Sequence, residues 1–124
     1  MKVKCVCLLD HEGNAISSSP WLNIGATYHV LSIFIDGKGG RRFWVNYQDQ
    51  NEWPRVVEHR AECFQIVSTV VPSNWRLWIH ESSAMGISPF SWQSSEFTEA
   101  LLEHDAKAYS IFEYEREIIL NEDP

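Results

Sequence analysis

Up to His80 the apolar residues come in short runs separated by turn-forming residues, a pattern that predicts strands rather than helices. Residues 3–9 are an apolar run bounded by the polar cluster Asp10-His11-Glu12-Gly13-Asn14, and Ser17 to Pro20 make a second break. Thr27 to Ile35 is rich in β-branched and aromatic residues, as a strand should be. It ends at Asp36-Gly37-Lys38-Gly39-Gly40, whose glycines supply the positive φ angles of a hairpin connection. Phe43, Val45 and Tyr47 then alternate with Trp44, Asn46 and Gln48, the period of a half-buried strand. After a loop over 48–54, Phe64 to Val71 reads as a further strand, stopped by Pro72-Ser73-Asn74. Trp75 to His80 alternates again, with Leu77 and Ile79 on one side and Trp78 on the other.

From residue 95 the period lengthens to that of a helix. Ser94 or Ser95 can cap, Glu96 and Glu99 suit the positive end of the helix dipole, and Phe97, Leu101 and Leu102 form an apolar stripe. Asp105 can cap a second helical stretch in which Ala108, Ile111, Phe112, Ile118 and Ile119 recur, leaving Glu113, Arg116 and Glu117 on the wet side. The expected fold is α+β: a small, strongly bent antiparallel sheet or partly closed β-barrel (Src-homology-3-like) of about five strands, followed by one or two C-terminal helices. We expect a single domain over 1–124, β-rich over 1–94 and helical over 95–120.

Composition supports a packed core: 44% of residues are apolar, and six Trp, six Phe and four Tyr argue against disorder. No apolar run approaches the ~20 residues that span a bilayer, and the opening Met-Lys-Val-Lys-Cys-Val-Cys-Leu-Leu is too short and too soon polar for a signal peptide. These features predict a cytoplasmic chain with no membrane partner. The net charge of −7 is confined to one end. Residues 1–94 balance eight acidic against eight basic side chains, whereas residues 95–124 set nine acids against Lys107 and Arg116. Such asymmetry speaks to association with a cationic partner rather than to fold. It also opposes nucleic-acid binding, although Lys38, Arg41 and Arg42 lie beside Phe43 and Trp44.

No catalytic motif stands out. Gly37-Lys38-Gly39-Gly40 lacks the spacing and the following helix of a phosphate loop. His80-Glu81-Ser82-Ser83 places a base near hydroxyls, but sequence neighbours rarely face one another in an extended segment. Cys5 and Cys7 point to one face of a strand, and a metal site completed by Cys63 and His11 fits poorly, because zinc sites usually separate paired cysteines by more than one residue. We therefore expect no enzyme, no cofactor and no metal. Trp21, Trp75 and Trp92 sit at element boundaries where a ring can close a core. Trp44, Trp53 and Trp78 fall on polar sides of strands or in a loop: they are interface anchors if exposed, and core if the sheet is covered on both faces.

The stretch Trp21-Leu22-Asn23-Ile24-Gly25-Ala26-Thr27-Tyr28-His29-Val30-Leu31-Ser32-Ile33 resembles an opening of small bacterial immunity-type proteins encoded beside polymorphic or contact-dependent growth-inhibition toxins. The resemblance continues in Cys63-Phe64-Gln65-Ile66-Val67, Val71-Pro72-Ser73-Asn74-Trp75, Ser88-Pro89 with Trp92, and the segment from Glu96-Phe97 to Phe112. It implies a non-catalytic inhibitor that covers the active site of a cognate toxin domain. An acidic helix surface suits the basic cleft of a nuclease toxin, with fast, salt-sensitive association. The expected contacts are Glu96, Glu99, Glu103, Asp105, Glu113 and Glu117, with Trp44 or Trp78 as aromatic anchor. The alternatives are a small barrel adaptor whose groove, lined by Tyr28, Trp44 and Tyr47, takes a peptide or protein subunit, and an enzyme using Cys63 or a histidine.

Overall fold

The computed structural model describes residues 1–47 and 53–124, so most of the loop expected over 48–54 lies outside the described residues. The chain is α+β: a bent antiparallel sheet of seven strands, followed by two helices. The strands are β1 (Lys2–Cys5), β2 (Thr27–Ile35), β3 (Arg41–Val45), β4 (Glu58–Arg60), β5 (Phe64–Ser68), β6 (Trp75–Ile79) and β7 (Met85–Pro89); the helices are α1 (Ser95–Leu102) and α2 (Ala106–Glu122). Two strands escape the sequence pattern. β4 is only three residues, Glu-His-Arg, and β7 contains Gly86 and ends in Pro89, residues that strand propensity disfavours. The apolar runs over-reach in return. The first strand ends at Cys5, leaving only a bridge between Leu9 and Ala15, and the strand expected to reach Val71 stops at Ser68.

β2 organises the sheet. β3 runs along one of its sides, while the other side is shared, with β1 beside Thr27–His29 and β7 beside Ile33–Ile35. A register shift against β3 between Val30 and Ser32 bulges the strand at Leu31 and lets it bend. Val30 and Leu31 are consequently both in the core, and the Leu31 carbonyl accepts a hydrogen bond from Trp75 Nε1 at 3.1 Å. Among the described residues β4, β5 and β6 each pair with one strand only, so the sheet stays open.

Apolar residues cover β3 from both sides. On one, Phe43 meets Phe64 at 5.9 Å between ring centroids, with Val3, Tyr28 and Val30 nearby in the same core. On the other, Trp44 stacks on Phe112 of α2 at 5.4 Å and meets Trp92 at 5.2 Å. Phe43, Trp44 and Val45 are all less than a tenth exposed, so α2 overrides the half-buried alternation expected of this strand.

Both expected helix caps are present: Ser94 Oγ accepts from Phe97 N, and Asp105 Oδ2 from Ala108 N, each at 3.1 Å. Between the helices His104 takes the left-handed conformation with φ 60°. Its N–H donates to Leu101 O and that of Asp105 to Ala100 O, the double closure of a Schellman motif. Trp53 completes this end, donating Nε1 to Leu101 O at 2.8 Å and stacking on His104 at 4.4 Å. Far along the chain, the end of α2 is fastened to the sheet, because the buried Asp123 carboxylate accepts from Ser68 Oγ at 2.7 Å and pairs with the Met1 amine at 3.0 Å. Among the described residues no helix is long and apolar enough to cross a membrane.

Candidate protein-binding surfaces

Glu96, Glu99 and Glu103, spaced by three and four residues, share one face of α1 turned away from buried Phe97 and Leu101. All three are exposed, and among the described residues no ion pair or side-chain hydrogen bond holds their carboxylates. Leu102, expected within the apolar stripe, is 61% exposed beside them. Glu117 is exposed on α2 with Tyr114 and Asn121 nearby. The other expected contacts are already engaged. Asp105 is exposed, but its Oδ2 caps α2. Glu113 forms a bidentate pair with Arg116 at 2.9 and 3.0 Å, and Arg116 Nη1 also donates to Asn46 Oδ1. Both are half-buried rather than on the wet side, and the carboxylate raises the guanidinium pKa.

Three remaining acids turn back onto the molecule. Glu115 accepts from Asn74 Nδ2, Glu122 from the backbone and hydroxyl of Ser73, and Asp123 is interior. Hydrogen bonds from Ser73 lower the Glu122 pKa. Burial pushes Asp123 up, but Ser68 and the amine outweigh it and leave that carboxyl below its ordinary value. Among the described residues the acidic end therefore reduces to one unpaired stripe on α1 plus Glu117, which lies near Arg116.

The two aromatic candidates separate. Trp44 is a core residue, enclosed by Phe112 and Trp92, with Nε1 donating to Arg55 O at 2.8 Å; it is not an exposed anchor, because α2 covers its face of the sheet. Trp78 on β6 is half-buried and packs toward Phe34 at 5.9 Å. The aliphatic side of β6 is the open one, with Leu77 and Ile79 60% and 69% exposed.

A cleft of about 230 Å³ opens between the end of β3 and α2, bordered by Trp21, Trp44, Tyr47, Trp53, Tyr109 and Arg116 among others. Two of the three residues expected in an adaptor groove, Trp44 and Tyr47, line it. Tyr28 does not: it is buried, and its hydroxyl accepts from Asn23 N. The indole N–H of Trp21 is enclosed without an acceptor among the described residues.

The three cysteines come together, the Cys63 thiol being hydrogen-bonded with that of Cys7 and close to that of Cys5, but among the described residues no group of three or more His, Cys, Asp or Glu side chains is arranged to hold a metal ion. Cys5 and Cys63 are buried, burial raises both thiol pKa values, that of Cys63 to about 11, and Cys7 lies beyond the strand with Sγ near Glu62 O. His11 is exposed beside Glu12. The Gly37–Gly40 segment is a hairpin tip in which Asp36 Oδ1 accepts from the N–H groups of Lys38 and Gly40, consuming donors a phosphate would need. His80 is exposed and outside any helix or strand, as expected of coil, although the turn after β6 brings Ser82 Oγ within 2.8 Å of His80 Nδ1. The Ser82 backbone N–H points at the same nitrogen, so that nitrogen acts as a turn cap. Comparison with known proteins finds no matching family model, no matching curated protein and no matching solved structure.

Proposed function

We propose that this chain is an immunity protein that binds a co-encoded toxin domain in the cytoplasm and neutralises it by covering a basic active site. The observation that carries the reading is the α1 stripe of Glu96, Glu99 and Glu103, three exposed carboxylates on one helix face that no cation among the described residues holds. Carboxylates left unpaired in this way steer a cation-rich partner and find their counter-charges at the contact. The resemblance of the segments from Trp21 to Phe112 to immunity-type proteins supports the same reading.

The test is co-expression with the product of the neighbouring gene. The partner should co-purify and its toxicity be relieved. The combined variant Glu96→Gln, Glu99→Gln, Glu103→Gln should weaken both while leaving the circular dichroism unchanged. A neighbouring product without toxicity, or with toxicity this chain does not relieve, overturns the proposal. The cleft between β3 and α2 favours a second reading, an adaptor that takes a peptide or protein subunit against Trp44 and Tyr47.

A further inference from the structure

Cys7 and Cys63 meet where two strands end. β1 stops at Cys5, and a 3-10 turn over Ala61–Cys63 leads into β5. The pairing of Cys5 with Phe64 lapses one residue further on, but the backbones stay together. The N–H groups of Val6 and Cys7 both point at the Cys63 carbonyl, at 2.8 and 3.4 Å. Contact this close keeps the Cα atoms near the roughly 4.4–6.8 Å that a disulfide spans. The thiols meet as well: Cys63 Sγ is hydrogen-bonded with Cys7 Sγ, which in turn donates to Glu62 O at 3.5 Å. Outside the ladder, Cys7 is only half-buried, whereas Cys63 is 2% exposed. Cys5 is set apart, fully enclosed with its thiol donating to the Cys7 carbonyl at 3.4 Å. An accessible thiol backed by an enclosed one is the layout of an attacking and a resolving cysteine.

We propose that Cys7 and Cys63 form a redox modification site, a dithiol that closes to an intramolecular disulfide on meeting a low-molecular-weight disulfide such as glutathione disulfide. The Cys7 thiolate attacks one sulfur of the oxidant and the oxidant's S–S bond breaks. One small thiolate leaves and takes up the proton that Cys7 gave up. The Cys63 thiolate then attacks Cys7 Sγ, breaks the mixed disulfide and expels the second small thiolate, which takes up the Cys63 proton. Two protein thiols and one small disulfide become one protein disulfide and two small thiols, so two electrons and two protons pass from the protein to the oxidant. In a reducing compartment the pair rests as thiols. Burial holds the Cys63 thiol protonated near neutrality, so the second step is the slow one and quickens as pH rises.

Incubating the reduced full chain with excess glutathione disulfide at mildly alkaline pH, followed by intact mass and thiol titration, tests this. A glutathione adduct should appear first and convert to a species lighter than the parent by two hydrogens. One free thiol should then remain where the parent has three. Alkylating that thiol after unfolding and fragmenting the peptide should place it on Cys5, and dithiothreitol should restore the parent. Cys63→Ala should stop at the glutathione adduct, while Cys5→Ala should close as the parent does. The position of the alkylated thiol in the parent decides the matter even where a variant misfolds. Three thiols that persist, an adduct that never resolves, alkylation found on Cys7 or Cys63, or a disulfide between two chains overturns the inference.

Discussion

His59 shows how a single side chain sets a pH dependence. Its ring is half-buried among Trp21, Tyr47 and Phe64, and Nε2 lies 2.7 Å from the Tyr47 hydroxyl. Burial disfavours the imidazolium and lowers the pKa from 6.5 to about 4. The unfolded chain therefore binds more protons than the folded one between these values. The contribution of His59 is complete above about pH 6.5 and is lost as pH falls toward 4. Urea titrations at pH 7 and pH 5 should differ by on the order of 1 kcal/mol after allowing for partial exposure, and His59→Gln should flatten that difference. No periodicity in the sequence marks this histidine, because β4 is three residues long and its partners come from distant segments. The same limit hid the role of Trp53, whose indole reaches the end of α1 from a loop 48 residues earlier.

Among the elements, the β6–β7 hairpin depends most on one missing side chain. A Cβ on Gly86 would lie 2.6 Å from the Trp78 ring, which crosses the strand toward Phe34. Gly86→Ala must displace that ring or separate the two strands, and should cost about 1–3 kcal/mol in denaturant unfolding, with loss of any Trp78 contribution to fluorescence change. In the sequence this glycine only interrupts a strand pattern, which is why β7 went unanticipated. Elements with chemical punctuation were legible in outline: the Asp36–Gly40 hairpin, and both helices from their Ser94 and Asp105 caps. Elements whose ends are set by tertiary pairing, such as the first and fifth strands, were read too long.

For the molecule as a whole, the acidic end could be counted in the sequence but not apportioned. Nothing in the spacing of residues 95–124 distinguishes Glu96, which is exposed and unpaired among the described residues, from Glu122 and Asp123, which bind Ser73 and Ser68. Partners that distant in sequence become visible only in three dimensions. The same holds for Trp44, which the period placed on a polar face and α2 then covered. The two functional readings separate in salt. Association through the α1 carboxylates should slow about tenfold or more between low and physiological ionic strength, as stopped-flow mixing would show, whereas capture in the aromatic cleft should change little. Finally, the two flanks of the sheet, β1 with β5 and β7 with β6, are both hydrogen-bonded to β2, which joins them. Opening the β6–β7 flank withdraws the Trp75 indole from the Leu31 carbonyl at the kink of β2, the strand that also carries β1, so the molecule should melt as a unit, without a half-unravelled species for proteases to harvest.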